Sequence, residues 1–154
     1  MTKILIPSET SSGERRVSAT PETVKKLKNL GCDVYIESSA GKLSGFSDLL
    51  YEGSGGTIIN DLDQNIWGEA DLIFCVHTPS EVNLTKLKKG AVLLGLLNPY
   101  GNKELCRSLK IINSNKISAL SLELLPRISR AQSSDVLSSQ ANIAGYKAVL
   151  LGVR

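Results

Sequence analysis

Arg127, Gln132, Asp135 and Ser138 stand close together within residues 126–146, a polar loop that runs into a helix of small residues. Arginine offers only donors, an ionised aspartate only acceptors, and glutamine and serine offer both, so the set can hold a group that donates and accepts at once. A carboxamide, such as that of nicotinamide, is such a group. The plainer alternative is an ion pair between Arg127 and Asp135, but Gln132 and Ser138 make the set larger than one pair needs. The loop lies only a few residues from the C-terminus. A cofactor-clasping loop with no cofactor-binding domain after it points to part of a larger enzyme.

The elements that must position this loop follow from the apolar pattern. At 154 residues the chain has room for one domain with a real core, and not for a dinucleotide domain plus a substrate domain. Short apolar runs alternate with amphipathic stretches, the signature of parallel βαβ construction. Strands are predicted at 4–7, 33–37, 71–76, 91–97 and 117–124. The last three are nearly continuous in apolar residues and are expected to be central. Thr20 caps a helix with Pro21 first and Glu22 in its first turn; Val24, Leu27 and Leu30 share a face and Gly31 ends it. A second helix begins at Asn102 and runs through Leu105 and Leu109, with shorter ones at 84–89 and 47–51. A final helix spans about 134–152. It carries small residues on one face and bulky apolar ones elsewhere, so close neighbours are expected on several sides, and as a lone terminus it would leave apolar surface exposed. The fold class is therefore α/β: an open, mostly parallel, Rossmann-like (flavodoxin-like) sheet with helices on both faces.

Composition excludes several classes. Hydrophobic content of 42%, 21% charged residues and a net charge of +3 are ordinary for a globular protein and give no footprint for nucleic acid. Cys32, Cys75 and Cys106 are odd in number and widely spaced, so neither a disulfide framework nor a metal site is expected, and a reducing cytoplasm fits. No signal-peptide pattern or apolar run of about 18 residues occurs, so neither secretion nor membrane spanning is expected. Gly53 and Gly55 open a G-x-G-x-x-G pattern that fails at Ile58, and Gly41-Lys42 lacks the rest of a P-loop; both are turns.

Two other places can bear chemistry. His77 follows the third predicted strand, where open α/β sheets put functional residues, but without an evident partner it reads more simply as a solvated loop histidine. Cys75 beside it reads as a buried small hydrophobe. In the first strand-to-helix loop, Arg15 and Arg16 either face an anion or another domain across the cleft, or pair with Glu9 or Glu14; sequence leaves these even.

Three separated motifs carry a family resemblance: Glu14-Arg15-Arg16-Val17 with Thr20-Pro21, the strand at 93–99 ending in Asn98-Pro99, and above all 126–146. Together they span nearly the whole chain, which resembles the N-terminal domain of alanine dehydrogenases and proton-translocating NAD(P) transhydrogenases. The last motif is most similar to the transhydrogenase α subunit, whose nicotinamide-contacting loop is named for its Arg, Gln and Asp. The resemblance implies a Si-Re specific hydride transfer from NADH to NADP⁺ coupled to proton translocation. Arg127 and Asp135 would orient the carboxamide of NAD(H), Ser138 would assist, and Gln132 would reach toward NADP(H) held by a separate component. It also implies a family domain at 1–125, the nicotinamide-contacting loop at 126–138, and at 139–154 the start of an interdomain helix, with the NAD-binding Rossmann domain absent. The implied partners are that Rossmann domain, the NADP(H)-binding component, the membrane subunits and a second copy, at a cytoplasmic position peripheral to the inner or plasma membrane. The isolated chain is then expected to be inactive. In alanine dehydrogenases a lysine ends the third strand and a histidine follows the fourth; here Cys75 and the 94–97 run stand there. An amino-acid oxidoreductase fragment therefore ranks second, and a non-catalytic interaction module third. Ser134 departs from the methionine usual in the family.

Overall fold

Aliphatic runs too short for helices form strands, and the amphipathic stretches between them form crossovers. The computed structural model describes residues 1–60, 65–100, 105–126 and 128–153, with backbone alone at 105–109. Strands β1 (Lys3–Ile6), β2 (Asp33–Glu37), β3 (Thr57–Ile59), β4 (Leu72–Phe74), β5 (Val92–Gly95) and β6 (Ser118–Ser121) build one sheet. Its order is β3-β2-β1-β4-β5-β6 and every pairing is parallel. This is the doubly wound Rossmann order. Ile4 lies opposite Val34 of β2 and Leu72 of β4. The order therefore reverses between β1 and β4, and loops leaving the carboxyl ends of these strands part there to leave a cleft.

Helices cover both faces. Helix α1 (Pro21–Asn29) starts as its sequence requires: Thr20 Oγ1 accepts the Thr23 N–H at 3.3 Å, with Pro21 in the first turn. With α2 (Asp48–Gly53) it seals one core, in which Ile6, Val24, Ile36 and Tyr51 are buried. Helices α3 (Asn65–Glu69), α4 (Glu81–Lys86) and α5 (Leu105–Ser114) carry the other side. There Leu5, Trp67, Ile73, Leu84 and Leu93 pack together. Helix α6 (Val136–Gly152) follows a 3₁₀ segment, Ser129–Ser134.

Several expectations need correction. Thr57–Ile59 pairs with β2 as an edge strand, too short to show a period and hidden behind the 53–56 glycine turn. The 117–124 run is not central: β6 is the opposite edge, with Leu120 55% exposed, because an apolar run reports its own hydrophobicity and not its place in a sheet. Helix α3 has no sequence signal, α4 begins earlier than 84, and Leu30 is exposed as the C-cap residue of α1. Asn102 lies outside the described residues. The last helix agrees with its reading as a lone terminus, since Ile143, Tyr146, Val149, Leu150 and Leu151 of α6 are exposed. Among the described residues no helix is long and apolar enough to cross a membrane.

Candidate functional site

The polar loop before the last helix is organised by a helix cap. Asp135 is the N-cap of α6: Oδ1 accepts the Ser138 N–H at 3.0 Å and Oδ2 accepts the Ser138 hydroxyl at 2.6 Å. The carboxylate thus satisfies an orphan amide of the first turn and favours the positive end of the helix dipole. Before the cap, Ile128 N–H donates to the Pro126 carbonyl and Ala131 N–H to that of Ile128, each at 2.9 Å. These turns curl the chain around a recess of about 330 Å³ lined by Pro126, Ile128, Gln132, Asp135 and Ser138. The structure therefore brings Gln132, Asp135 and Ser138 to one recess. Arg127 lies outside the described residues.

At the β1/β4 switch point, two acids of the β1–α1 loop tie neighbouring loops together. Glu9 accepts the backbone N–H groups of Val76 and His77, at 2.6 and 3.0 Å. Glu14, whose side chain is only 8% exposed, accepts from the backbone amides of Arg15 and Arg16 at 2.9 and 2.8 Å. It also takes both Nε and Nη2 of Arg16, at 2.8 and 2.6 Å, and meets His77 Nε2 at 2.8 Å. The bidentate Arg16 guanidinium is the main reason the Glu14 carboxyl is held down at about 2, and Arg16 is raised in return. Of the two arginines in this loop, Arg16 therefore pairs with Glu14 and does not wait for an anion. His77 is not the partnerless histidine expected from sequence. Its partner lies 63 positions away, beyond any local pattern.

Arg16 has a second reach: Nη1 lies 3.4 Å from Gln140 Oε1 on α6. Between them, α6 and the carboxyl ends of β4 and β5 enclose a cavity of about 390 Å³, with Val17, Phe74, Leu94, Leu122 and Val136 in its wall. Cys75 also lines it. Burial pushes its thiol up and the Glu9 charge adds to this, so it stays a neutral thiol and not a nucleophile. Leu97 and Asn98 donate their amides to the Glu123 carboxylate, the first at 3.2 Å. Asn98 has φ 47°, a left-handed conformation that asparagine tolerates better than most residues. Glu14 is a partner of Arg16 that the sequence offers as one alternative, whereas Glu9, Glu123 and Gln140, and the contact of Glu14 with His77, are not singled out for these roles by sequence reasoning. The available signal is acids in loops at strand carboxyl ends, where exposed backbone amides need acceptors.

Comparison with known proteins identifies the family. Residues 5–144 match the family model described as alanine dehydrogenase/PNT, N-terminal domain. An NAD(P) transhydrogenase subunit alpha of Haemophilus influenzae is 39% identical over 145 residues, covering 94% of this chain and 27% of the relative. Alanine dehydrogenase 1 of Staphylococcus aureus is more distant, 32% identical over 149 residues, covering 97% of this chain and 38% of that protein. The crystal structure of transhydrogenase from Sinorhizobium meliloti superposes with a TM-score of 0.86 at 40% identity, over 96% of this chain and 43% of that one. The chain thus spans less than half the length of these relatives. With its doubly wound sheet and a match running through both the Glu14 loop and the Asp135 cap, the chain belongs to the alanine dehydrogenase/PNT N-terminal domain family.

Proposed function

We propose that the chain is the N-terminal part of the NAD(H)-binding component of a proton-translocating transhydrogenase, which transfers hydride from NADH to NADP⁺ with Si-Re specificity. The observation that carries this is the joint placement of Gln132, Asp135 and Ser138 on one recess, with Asp135 fixed by the helix it caps. The donor set fits a carboxamide: the Asp135 oxygens would accept its N–H₂ group, while Arg127 and Ser138 would serve its carbonyl and neighbouring atoms. Gln132 would face NADP(H) on a separate component. Bound NAD(H) supplies the hydride itself, so the chain's own residues have only to orient the ring and help exclude water. No general acid or base is needed, which suits a clasp without histidine.

Residues 1–125 would form the family domain, 126–138 the clasp and 139–154 the start of a helix leading to the NAD-binding Rossmann domain. The working assembly would add that domain, the NADP(H)-binding component, membrane subunits and a second copy, at the cytoplasmic side of the membrane. Amino-acid oxidation is less well supported. Its proton transfers need a titratable group by the substrate, whereas the strand end facing the larger cavity carries Cys75, a thiol that burial keeps protonated. His77 lines a separate, much smaller recess.

Asp135→Asn in the assembled complex tests the assignment. Asparagine caps helices as well as aspartate, so the fold is spared. Loss of a charge-assisted bond worth about 1.5–3 kcal/mol is expected to slow hydride transfer roughly tenfold or more. Unchanged turnover would remove Asp135 from the site.

A further inference from the structure

Helix α6 carries the clasp but is thinly seated. Among its described residues none is buried, and between its first turns and the sheet lies the cavity of about 390 Å³. Apolar packing alone therefore gives its start little to register against. The polar contact reaching it from the first loop is Arg16 Nη1 to Gln140 Oε1, at 3.4 Å. A long, flexible arginine makes a poor strut unless its own head is fixed. Here Nε and Nη2 are both bound by the largely buried Glu14 carboxylate, which leaves Nη1, on the other side of the planar fork, to face α6. Glu14 is itself held by the Arg15 and Arg16 amides and faces His77. Glu9 in turn binds the loop that bears His77 to the first loop.

We propose that Glu14 is a positioning residue: by locking Arg16 against Gln140 it sets where the first turn of α6, and with it Asp135 and Ser138, sits over the carboxyl ends of the sheet. Its consequence for turnover rests on the clasp proposed above. The positional coupling itself does not. Glu14 touches neither nicotinamide and acts only through Arg16 and α6.

Hydrogen exchange on the assembled complex separates this from a merely local role. The Ser138 and Ser139 amides both donate to Asp135, one to its side chain and one to its carbonyl, so their exchange reads the cap directly. Glu14→Gln is expected to speed exchange at both about tenfold, the loss of a charge-assisted contact, while amides of β1 and β4 are unchanged. Gln140→Leu leaves the first loop intact and is expected to do the same, which covers a Glu14 variant that folds poorly. In Glu14→Gln/Gln140→Glu the carboxylate for Arg16 comes from α6 instead, and protection and turnover are expected to return to within about twofold of the parent. The proposal is overturned if Glu14→Gln loosens only the Arg15 and Arg16 amides, which donate to Glu14 itself, or if the double variant shows no recovery. Should exchange follow the expected pattern while neither Asp135→Asn nor Glu14→Gln changes turnover, the coupling stands and the clasp assignment falls.

Discussion

Glu14 shows what a single residue's surroundings add to its identity. In the sequence it is one acid beside two arginines, and pairing with one of them is as plausible as leaving both for a ligand. In the fold its carboxylate receives backbone amides, a bidentate guanidinium and an imidazole nitrogen while nearly out of solvent. These contacts favour the ionised form, and they bring its pKa from 4.5 down to about 2. A carboxyl lowered on folding contributes stability that is fully present above its unfolded value and lost as pH falls through the folded one. The parent is therefore expected to lose stability relative to Glu14→Gln as pH falls from about 4.5 to about 2. Urea midpoints of both proteins across that range check this; parallel curves would show that the carboxylate is no better off folded than unfolded. His77 carries the same lesson from the other side, since only folding brings Glu14 to what is otherwise a solvated loop histidine.

At the scale of elements, legibility follows length and capping. Helix α1 is readable because Thr20, Pro21 and Gly31 each impose a backbone conformation, and these outweigh the exposed Leu30 at its end. The start of α6 lies within two residues of its predicted place, while the cap that fixes it, Asp135, reads from sequence only as a polar loop residue. Strand β3 is not readable: three residues cannot display alternation, and only pairing with β2 makes them a strand. The contact between β4 and β5 is likewise invisible in sequence, although Gly95 marks it. A methyl group there would stand 2.6 Å from the Cys75 carbonyl oxygen and 2.8 Å from its sulfur. Since one of those atoms is backbone at the end of a central strand, little can yield. Gly95→Ala is expected to destabilise by about 1–3 kcal/mol, as overpacking does, seen as a lower denaturant midpoint with unchanged slope. An unaltered midpoint would mean that the two strands can separate without cost.

For the whole molecule, the clasp stands at the rim of the domain, with Gln132 and Ser138 exposed and the apolar side chains of α6 open to solvent. An exposed recess holding the proposed carboxamide with a few hydrogen bonds would offer little binding energy against the cost of ordering a dinucleotide. The 154-residue chain alone is accordingly expected to bind NADH much more weakly than micromolar, measured by calorimetry or fluorescence titration; micromolar affinity would contradict it. The parallel α/β class and the polar composition of the 126–138 loop were determined by sequence alone, because hydrophobic period, caps and donor inventory are local properties of the chain. Strand order, the exposed place of β6, the Glu9 and Glu14 links to the His77 loop and the reach of Arg16 to Gln140 were decided only by tertiary structure. Each depends on residues far apart in the chain meeting at the carboxyl edge of one sheet, and no local pattern records such a meeting.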